Sequence, residues 1–153
     1  MVVQPIPKGY HSVTPCLTVS DARQAIAFYV EAFNAVEKCK FTGPNDKIMY
    51  AEILIGDSPI MLGEECQTMG NKSPKTLGGS PMSIYLYVPN LDAMFSQALK
   101  AGAVLKSPIE SKFYGDRCGG VEDPFGYYWY LATRIEDVSP EEMQKRAQKA
   151  WGG

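Results

Sequence analysis

The chain has 153 residues, of which 45% are hydrophobic and 21% are charged, and its formal net charge at pH 7 is −2, as in a soluble globular protein of one domain or two fused halves. Its Lys and Arg residues form no run longer than two, which argues against nucleic acid or an anionic membrane surface as a partner. No segment approaches the roughly 18 apolar residues of a membrane span, and the N-terminal sequence has no apolar signal core, so a cytoplasmic location is expected.

The first half is predicted to contain one helix and four strands. Residues 1–10 read as an irregular arm, because Pro5 and Pro7 interrupt regular structure. Asp21 is placed to cap the helix, with Gln24 as its capping-box partner. Apolar alternation predicts strands at residues 13–19, 36–41, 47–55 and 59–63. In the third strand this alternation places on one face Met49, Ala51, Ile53 and Ile55.

The second half is predicted to follow the same plan after a linker. Residues 64–81 have turn-forming composition and little periodicity, which is typical of a connecting segment. Asn90 is placed to cap the next helix, and Gly102 to end it. Ser139 begins a further helix, at residues 139–153. The predicted strands of this half are residues 82–88, 104–107, 112–116, 119–122 and 127–133.

The two halves also resemble each other in sequence. LTVSDARQAIAFYVEAFNA begins at Leu17, and LYVPNLDAMFSQALKAGA begins at Leu86. Each segment runs from a short strand ending in Val, through a polar cap, into a helix closed by Ala. A repeated βαβββ unit is too small to bury both faces of its sheet alone. The repeat therefore predicts a single domain, residues 1–153, with two modules at residues 8–63 and 82–138.

Three segments carry a resemblance to a known family: LTVSDARQAIAFYVEAFNA, IGDSPIMLGEE and FYGDRCGGVEDPFGYYWYLATRIEDV. They resemble the vicinal oxygen chelate superfamily, which includes glyoxalases, bleomycin-resistance proteins and extradiol dioxygenases, and within it the PhnB-like branch. The resemblance covers residues 8–138. It implies an α+β fold in which two βαβββ modules form a U-shaped mixed sheet, the glyoxalase/bleomycin-resistance fold. It also implies a homodimer and a ligand or divalent metal ion inside the U.

The resemblance further implies where a metal ion would be held. Enzymes of the superfamily use side chains from the first and last strands of each module, typically His, Gln or Glu. The matching positions here are Thr14, Ser83, Tyr130 and Met61, or Glu52 in an alternative alignment. At most one of these is a good ligand for a hard or borderline divalent ion. We therefore expect no metal cofactor and keep a divalent metal as the less favoured alternative.

Strand alternation also predicts which side chains line the cleft instead. If Leu17, Val19, Ile84, Leu86 and Leu131 face the helices, the opposite parity points into the U. That parity selects Thr14, Cys16, Thr18, Tyr50, Glu52, Met61, Ser83, Tyr85, Tyr87, Tyr128 and Tyr130. Aromatic faces with a single acid suit a planar or cationic organic ligand. The same tyrosines can instead fill a closed cleft or a dimer seam.

Two charged residues have alternative roles. Glu52 lies on an apolar strand, where its pKa rises unless it has a partner. A raised pKa suits a general base. The structural alternative is a hydrogen bond to Tyr50, Tyr130 or another cleft hydroxyl, or a salt bridge to a Lys or Arg. Arg117, in the YGDRCGG hairpin, can reach an anionic ligand or can clamp the turn through Asp116, Glu122 or Asp123.

The leading hypothesis is a metal-free protein that binds a small aromatic or cationic molecule in a tyrosine-rich cleft. The alternative is a glyoxalase-like lyase or isomerase that acts on a carbonyl substrate with a divalent metal or with Glu52 as base. A third interpretation is an interaction module whose cleft has closed.

Overall fold

The structure is a computed structural model that describes residues 2–152. The ends of the predicted domain and of the predicted last helix, Met1 and Gly153, lie outside the described residues. The strands are β1 (Cys16–Val19), β2 (Val36–Thr42), β3 (Ile48–Ile55), β4 (Ser58–Glu64), β5 (Ser83–Tyr87), β6 (Val104–Ser111), β7 (Asp116–Glu122) and β8 (Tyr128–Arg134). The helices are α1 (Ala22–Phe33), α2 (Pro74–Leu77), α3 (Leu91–Ala101) and α4 (Pro140–Trp151).

The described chain divides into two compact units, each with its own four-stranded mixed sheet. The first unit comprises the residues up to Pro81 together with Pro124–Gly126, and the second comprises Met82–Asp123 and the residues from Tyr127 onward. The sheet orders are β1-β4-β3-β2 and β5-β8-β7-β6, so the two units share one topology. This is the α+β architecture of paired βαβββ modules that the sequence predicts. Among residues 2–152, no helix is both long and apolar enough to cross a membrane.

In the first unit, α1 covers one face of the sheet. The Asp21 side chain accepts a hydrogen bond from the Gln24 backbone N–H, which confirms the predicted cap. Asn34 ends the helix in the left-handed conformation. The buried face of α1 includes Tyr29 and Phe33, and their rings stack at 6.1 Å between centroids. The segment between β7 and β8 that belongs to this unit includes Phe125. The ring centroid of Phe125 lies 6.2 Å from that of Tyr29.

A β-bulge changes the predicted parity of β3 near its start. Phe41 pairs with Tyr50 but the next residue, Thr42, pairs with Ile48, so Met49 is an extra residue in β3. As a result Ile48 is fully buried, and Met49, which the sequence places on the core face, is only half-buried.

The first strand begins later than the sequence predicts. Pro15 has no backbone N–H, and β1 starts at the following residue, Cys16. Val13, predicted to lie in this strand, is 84% exposed. The Pro15 carbonyl accepts a hydrogen bond from the Met61 N–H at 3.0 Å, so the residue before β1 is already bonded to β4.

In the second unit, α3 packs on the sheet formed by β5 to β8. Asn90 caps α3 by accepting from the Ala93 N–H, and Gly102 ends it, both as predicted. Trp129 and Leu131 on β8 are fully buried, with Phe95 of α3 also buried. A Cβ at position 119 would lie 2.6 Å from the Phe95 ring, so glycine there permits close packing of helix and sheet.

The two predicted strands 104–107 and 112–116 are replaced by one strand and a turn. β6 runs to Ser111, and residues between it and Asp116 form a hairpin in which the Lys112 N–H donates to the Asp116 carbonyl at 2.7 Å. Gly115 has a φ of 100°, a conformation that glycine adopts without a Cβ clash.

The predicted linker contains a short helix that is anchored by one carboxylate. The Glu65 side chain accepts hydrogen bonds from the Ser73 N–H at 2.6 Å and from the Thr76 hydroxyl at 2.7 Å. Ser73 caps α2 by accepting from the Thr76 N–H. The periodicity rules find no helix here because α2 has only four residues.

Candidate functional site

One candidate cluster lies on the sheet of the first unit and is centred on Glu52. Its register partners across the sheet are Met61 on β4 and Cys39 on β2, and Met61 pairs in turn with Cys16 on β1. Cys16, Met61 and Glu52, which the sequence places in the cleft, therefore form one row across the sheet with Cys39. Thr14 is half-buried and lies just before β1.

Glu52 has hydrogen-bond donors, so its carboxylate is stabilised in the ionised form. The Tyr50 hydroxyl donates to Glu52 Oε1 at 2.5 Å. Hydrogen bonds from Tyr10 and Tyr50 lower the pKa of Glu52 and outweigh the effect of burial. The same hydrogen bond to Glu52 raises the pKa of Tyr10 to about 12. Of the alternatives given by the sequence, the structure therefore shows the hydrogen bond to Tyr50, with the pKa of Glu52 lowered rather than raised.

The donor set at the positions matched to the superfamily's metal site is poor. Met61 offers a soft thioether and Ser83 a hydroxyl. Burial raises the pKa of Tyr130, so its phenol stays protonated near neutral pH. Among residues 2–152, no group of three or more His, Cys, Asp and Glu side chains is arranged to hold a metal ion. Met61, Ser83 and Tyr130 are thus weak ligands for a hard or borderline divalent ion.

The second unit carries a denser cluster, which is organised around a buried carboxylate. Asp116 is 1% exposed. The hydroxyls of Tyr85 and Tyr87 both donate to Asp116 Oδ2 at 2.8 Å. Arg134 Nη1 lies 3.5 Å from the other oxygen, Oδ1. Asp116 thus fixes two of the predicted tyrosines by their hydroxyls.

Asp116 was not predicted as a site residue, because its role depends on strand order. Tyr87 pairs with Ala132 on β8, and Ala132 pairs with Cys118 on β7. Asp116 lies two residues before Cys118 and so on the same face. The small side chain of Ala132 separates Tyr87 from β7. The alternation of the sequence gives the face of each strand but not which strands are neighbours.

The tyrosines of the second unit form a continuous aromatic surface. Tyr85 stacks on Tyr130 with ring centroids 5.9 Å apart. The ring of Tyr128 lies 4.7 Å from that of Tyr130, and the ring of Tyr87 lies 5.1 Å from that of Tyr85. All four were predicted to line the cleft, and the structure brings them together within one unit.

A cavity of about 550 Å³ opens on this surface. Its aromatic lining consists of Tyr85, Phe113, Tyr114, Tyr130 and Trp151. The remaining lining residues are Ser83, Lys112 and Ala150. We call this the aromatic cavity; its volume lies within the range of small-molecule sites. Phe113, Tyr114, Lys112 and Trp151 were not predicted, because they lie in a turn and on a helix rather than on the tyrosine-bearing strands.

The rim of the aromatic cavity is held by α4. Arg146 donates to both Glu136 carboxylate oxygens, at 2.7 and 2.8 Å, and to the Phe113 carbonyl at 3.1 Å. Trp151, at the end of α4, meets the Phe113 ring edge-on with centroids 5.2 Å apart. The helix, which Ser139 caps as predicted, is thereby tied to the β6–β7 turn.

The hydroxyls of Tyr85 and Tyr87 both have a raised pKa. Burial is the largest cause of the raised pKa of Tyr85, and hydrogen bonds with Tyr114 and Asp116 raise that pKa further. The hydrogen bond to Asp116 raises the pKa of Tyr87. Both groups are therefore phenols rather than phenolates at physiological pH, and of the two it is Tyr85 that lines the cavity.

Arg117 has a partner that the sequence did not indicate. Its Nη2 lies 2.9 Å from Asp92 Oδ1 on α3, whereas the sequence suggested a clamp through Asp116, Glu122 or Asp123. It is not among the residues that line the aromatic cavity. Arg117 is thus a link between β7 and α3.

Comparison with known sequences gives one family over most of the chain. A family model described as the Glyoxalase/Bleomycin resistance protein/Dioxygenase superfamily matches residues 10–131. An uncharacterized protein of Mycobacterium bovis is 42% identical over 136 residues, which are 87% of this chain and 90% of that protein.

Comparison with solved structures gives the same fold. A gene product of Arabidopsis thaliana superposes with a TM-score of 0.65 at 25% identity, over 80% of this chain and 98% of that chain. The PhnB protein from Bacillus cereus superposes with a TM-score of 0.62 at 17% identity, over 80% of this chain and 99% of that chain. These likenesses agree with the resemblance seen in the sequence.

Proposed function

The chain belongs to the glyoxalase/bleomycin resistance protein/dioxygenase superfamily, and from this premise we propose that it binds a small aromatic molecule in the aromatic cavity of its second unit. The observation that carries the proposal is the lining of that cavity by five aromatic side chains. Flat rings that are held at fixed angles favour a planar ligand through offset stacking and edge contacts.

The rigidity of the cavity supports binding over collapse. Tyr85 is fixed at its hydroxyl by Asp116 and at its face by Tyr130. Trp151 is held against Phe113 by a helix that Arg146 ties in place. Preorganised aromatic groups lose little conformational entropy when a ligand binds, which raises affinity.

The charge of the cavity disfavours a ligand that carries a positive charge. Among its eight lining residues the charged side chain is Lys112, which repels a cation. Asp116 lies beneath the tyrosines, where it is engaged by their hydroxyls and by Arg134.

We propose that this binding needs no metal ion. The donor side chains at the matched positions are hydroxyls, a thioether and a carboxylate that is already hydrogen-bonded to Tyr50. The low pKa of Glu52 also makes it a weak proton acceptor for a carbonyl substrate, so the lyase or isomerase alternative gains no support. The expected homodimer is likewise a proposal, which light scattering on the purified protein tests.

The test is binding of a neutral probe, naphthalenemethanol, measured by calorimetry on the intact chain. We expect Tyr130→Leu and Trp151→Leu to weaken binding by roughly tenfold each, because each removes a ring contact of about 1 kcal/mol or more. Phe41→Leu is the matched control, since Phe41 is an exposed aromatic residue of the first unit. Equal binding by all three variants, or a loss of binding on adding EDTA, contradicts the proposal.

A further inference from the structure

Among the eight described residues that line the aromatic cavity, Lys112 carries the charged side chain and can select a ligand by charge. Its side chain is 29% exposed, whereas its ion-pair partner Glu110 is 59% exposed. The Lys112 side chain is therefore the less exposed member of this pair, and Lys112 is the member that lines the cavity. A group in this position interacts more strongly with a charge inside the cavity than with one in open water.

The position of Lys112 is fixed by the backbone. Its N–H donates to the Asp116 carbonyl at 2.7 Å, and its own carbonyl accepts from the Gly115 N–H at 3.1 Å. The neighbouring residues Phe113 and Tyr114 also line the cavity. The turn thus contributes one basic residue and two aromatic residues to the lining of the cavity.

The ion pair with Glu110 is easily exchanged. A largely exposed carboxylate gains little from a surface salt bridge, because water solvates it almost as well. If a ligand anion takes the ammonium group, Glu110 returns to solvent at small cost. The lining contains no carboxylate that opposes such a ligand among the residues described here.

From these observations we infer that the ligand of the aromatic cavity is an aromatic acid. Its anionic group pairs with Lys112, and its ring lies against Tyr85, Tyr130 and Trp151. This inference rests on the proposed function and adds the charge of the ligand to it. Lys112 is then the residue that determines specificity, and the rings supply most of the contact area.

The experiment compares three probes of one shape and different charge: naphthoate, naphthalenemethanol and naphthylmethylammonium. Calorimetry at neutral pH and moderate salt gives a dissociation constant for each. We expect naphthoate to bind roughly tenfold more tightly than the neutral alcohol, and the ammonium probe to bind least. Higher ionic strength should reduce the preference for naphthoate and leave the alcohol unchanged.

Variants at two lysines of the same region separate the effect of Lys112 from that of overall charge. Lys112→Gln should abolish the preference for naphthoate over the alcohol while retaining binding of the alcohol. Lys106→Gln is the matched control, because Lys106 lies on β6, pairs with Glu122 and does not line the cavity. It should leave the preference intact.

The outcomes distinguish the inference from the proposed function. Equal binding of naphthoate and the alcohol, or tightest binding of the ammonium probe, overturns the inference and leaves aromatic binding in place. A preference that persists in Lys112→Gln overturns it as well. Failure of all three probes to bind overturns both statements.

Discussion

Gly120 lies directly against the hydroxyl end of Tyr128. A Cβ at position 120 would be 2.4 Å from the Tyr128 hydroxyl oxygen and 2.5 Å from Ser107 Oγ. These two oxygens are 3.3 Å apart and form a hydrogen bond across the glycine. The absence of a side chain at this position therefore leaves room for the Tyr128 hydroxyl, and the Tyr128 ring lies tilted by 47° against that of Tyr130.

Gly120→Ala should destabilise the protein by about 1–3 kcal/mol, the usual range for overpacking a closely filled site. The added methyl group must displace the Tyr128 ring. Urea unfolding followed by circular dichroism measures the change. In a Tyr128→Leu background the same substitution should cost much less, because the obstructing oxygen is gone. An equal cost in both backgrounds contradicts the proposed clash.

Asp116→Ala should destabilise the protein by about 2–4 kcal/mol, since hydrogen bonds to a buried charged group are lost from two tyrosines. Asp137→Ala is the matched control: Asp137 is a fully exposed partner of Arg134, and its removal should leave the unfolding midpoint unchanged. Urea denaturation of both variants makes the comparison. Equal midpoints would show that the buried carboxylate does not hold the tyrosines.

The tyrosines near Glu52 should resist ionisation in the folded protein. The hydrogen bond to Glu52 raises the pKa of Tyr10 from 10.0 to about 12. In this pH range the folded state keeps a proton on Tyr10 that the unfolded state has lost. The stabilisation that comes from Tyr10 is therefore complete below about pH 10 and is lost as the pH rises through about 12. Absorbance titration of the phenolates, with chemical denaturation at each pH, follows both effects.

Glu52→Gln should move the tyrosine titration back toward its ordinary range, because the carboxylate that accepts from Tyr10 and Tyr50 is removed. Glu37→Gln, on the neighbouring strand, is the control and should leave the titration unchanged. Identical titration curves for the two variants would contradict the assigned role of Glu52.

The segment after β4 should loosen in acid. Hydrogen bonds from Ser73 and Thr76 lower the pKa of Glu65 to about 2. The stabilisation from this carboxylate is therefore complete above about pH 4.5 and is lost as the pH falls through about 2. Hydrogen exchange at neutral pH should be faster around α2 in Glu65→Gln and Thr76→Val. Glu141→Gln, an exposed change on α4, should leave that exchange unchanged.

The sequence predicts the repeated modules and the helix caps because both depend on local patterns. Asp21 and Asn90 each precede a helical stripe, and each accepts the expected backbone hydrogen bond. The bulge at Met49 was missed, since an extra residue in a strand leaves no mark on the apolar alternation until the partner register is known. The short α2 was missed because four residues are too few to show a helical period, and its anchor, Glu65, lies eight residues before Ser73.

The candidate site was only partly predictable. Alternation placed Tyr85, Tyr87, Tyr128 and Tyr130 on one face, and the structure has them there. It gave no indication of Asp116 or Lys112, because the contacts of these residues depend on strand order and on a turn. Non-local neighbours of this kind follow from topology and not from periodicity.

The position of Trp151 has a practical consequence for anyone who prepares this protein. An affinity tag or a fusion partner joined on the C-terminal side of α4 emerges beside the mouth of the aromatic cavity, next to Ala150 and Trp151. Such an appendage can occupy the cavity or screen it from added compounds. Ligand screens should therefore use material tagged at the other end of the chain, or material from which the appendage has been cleaved.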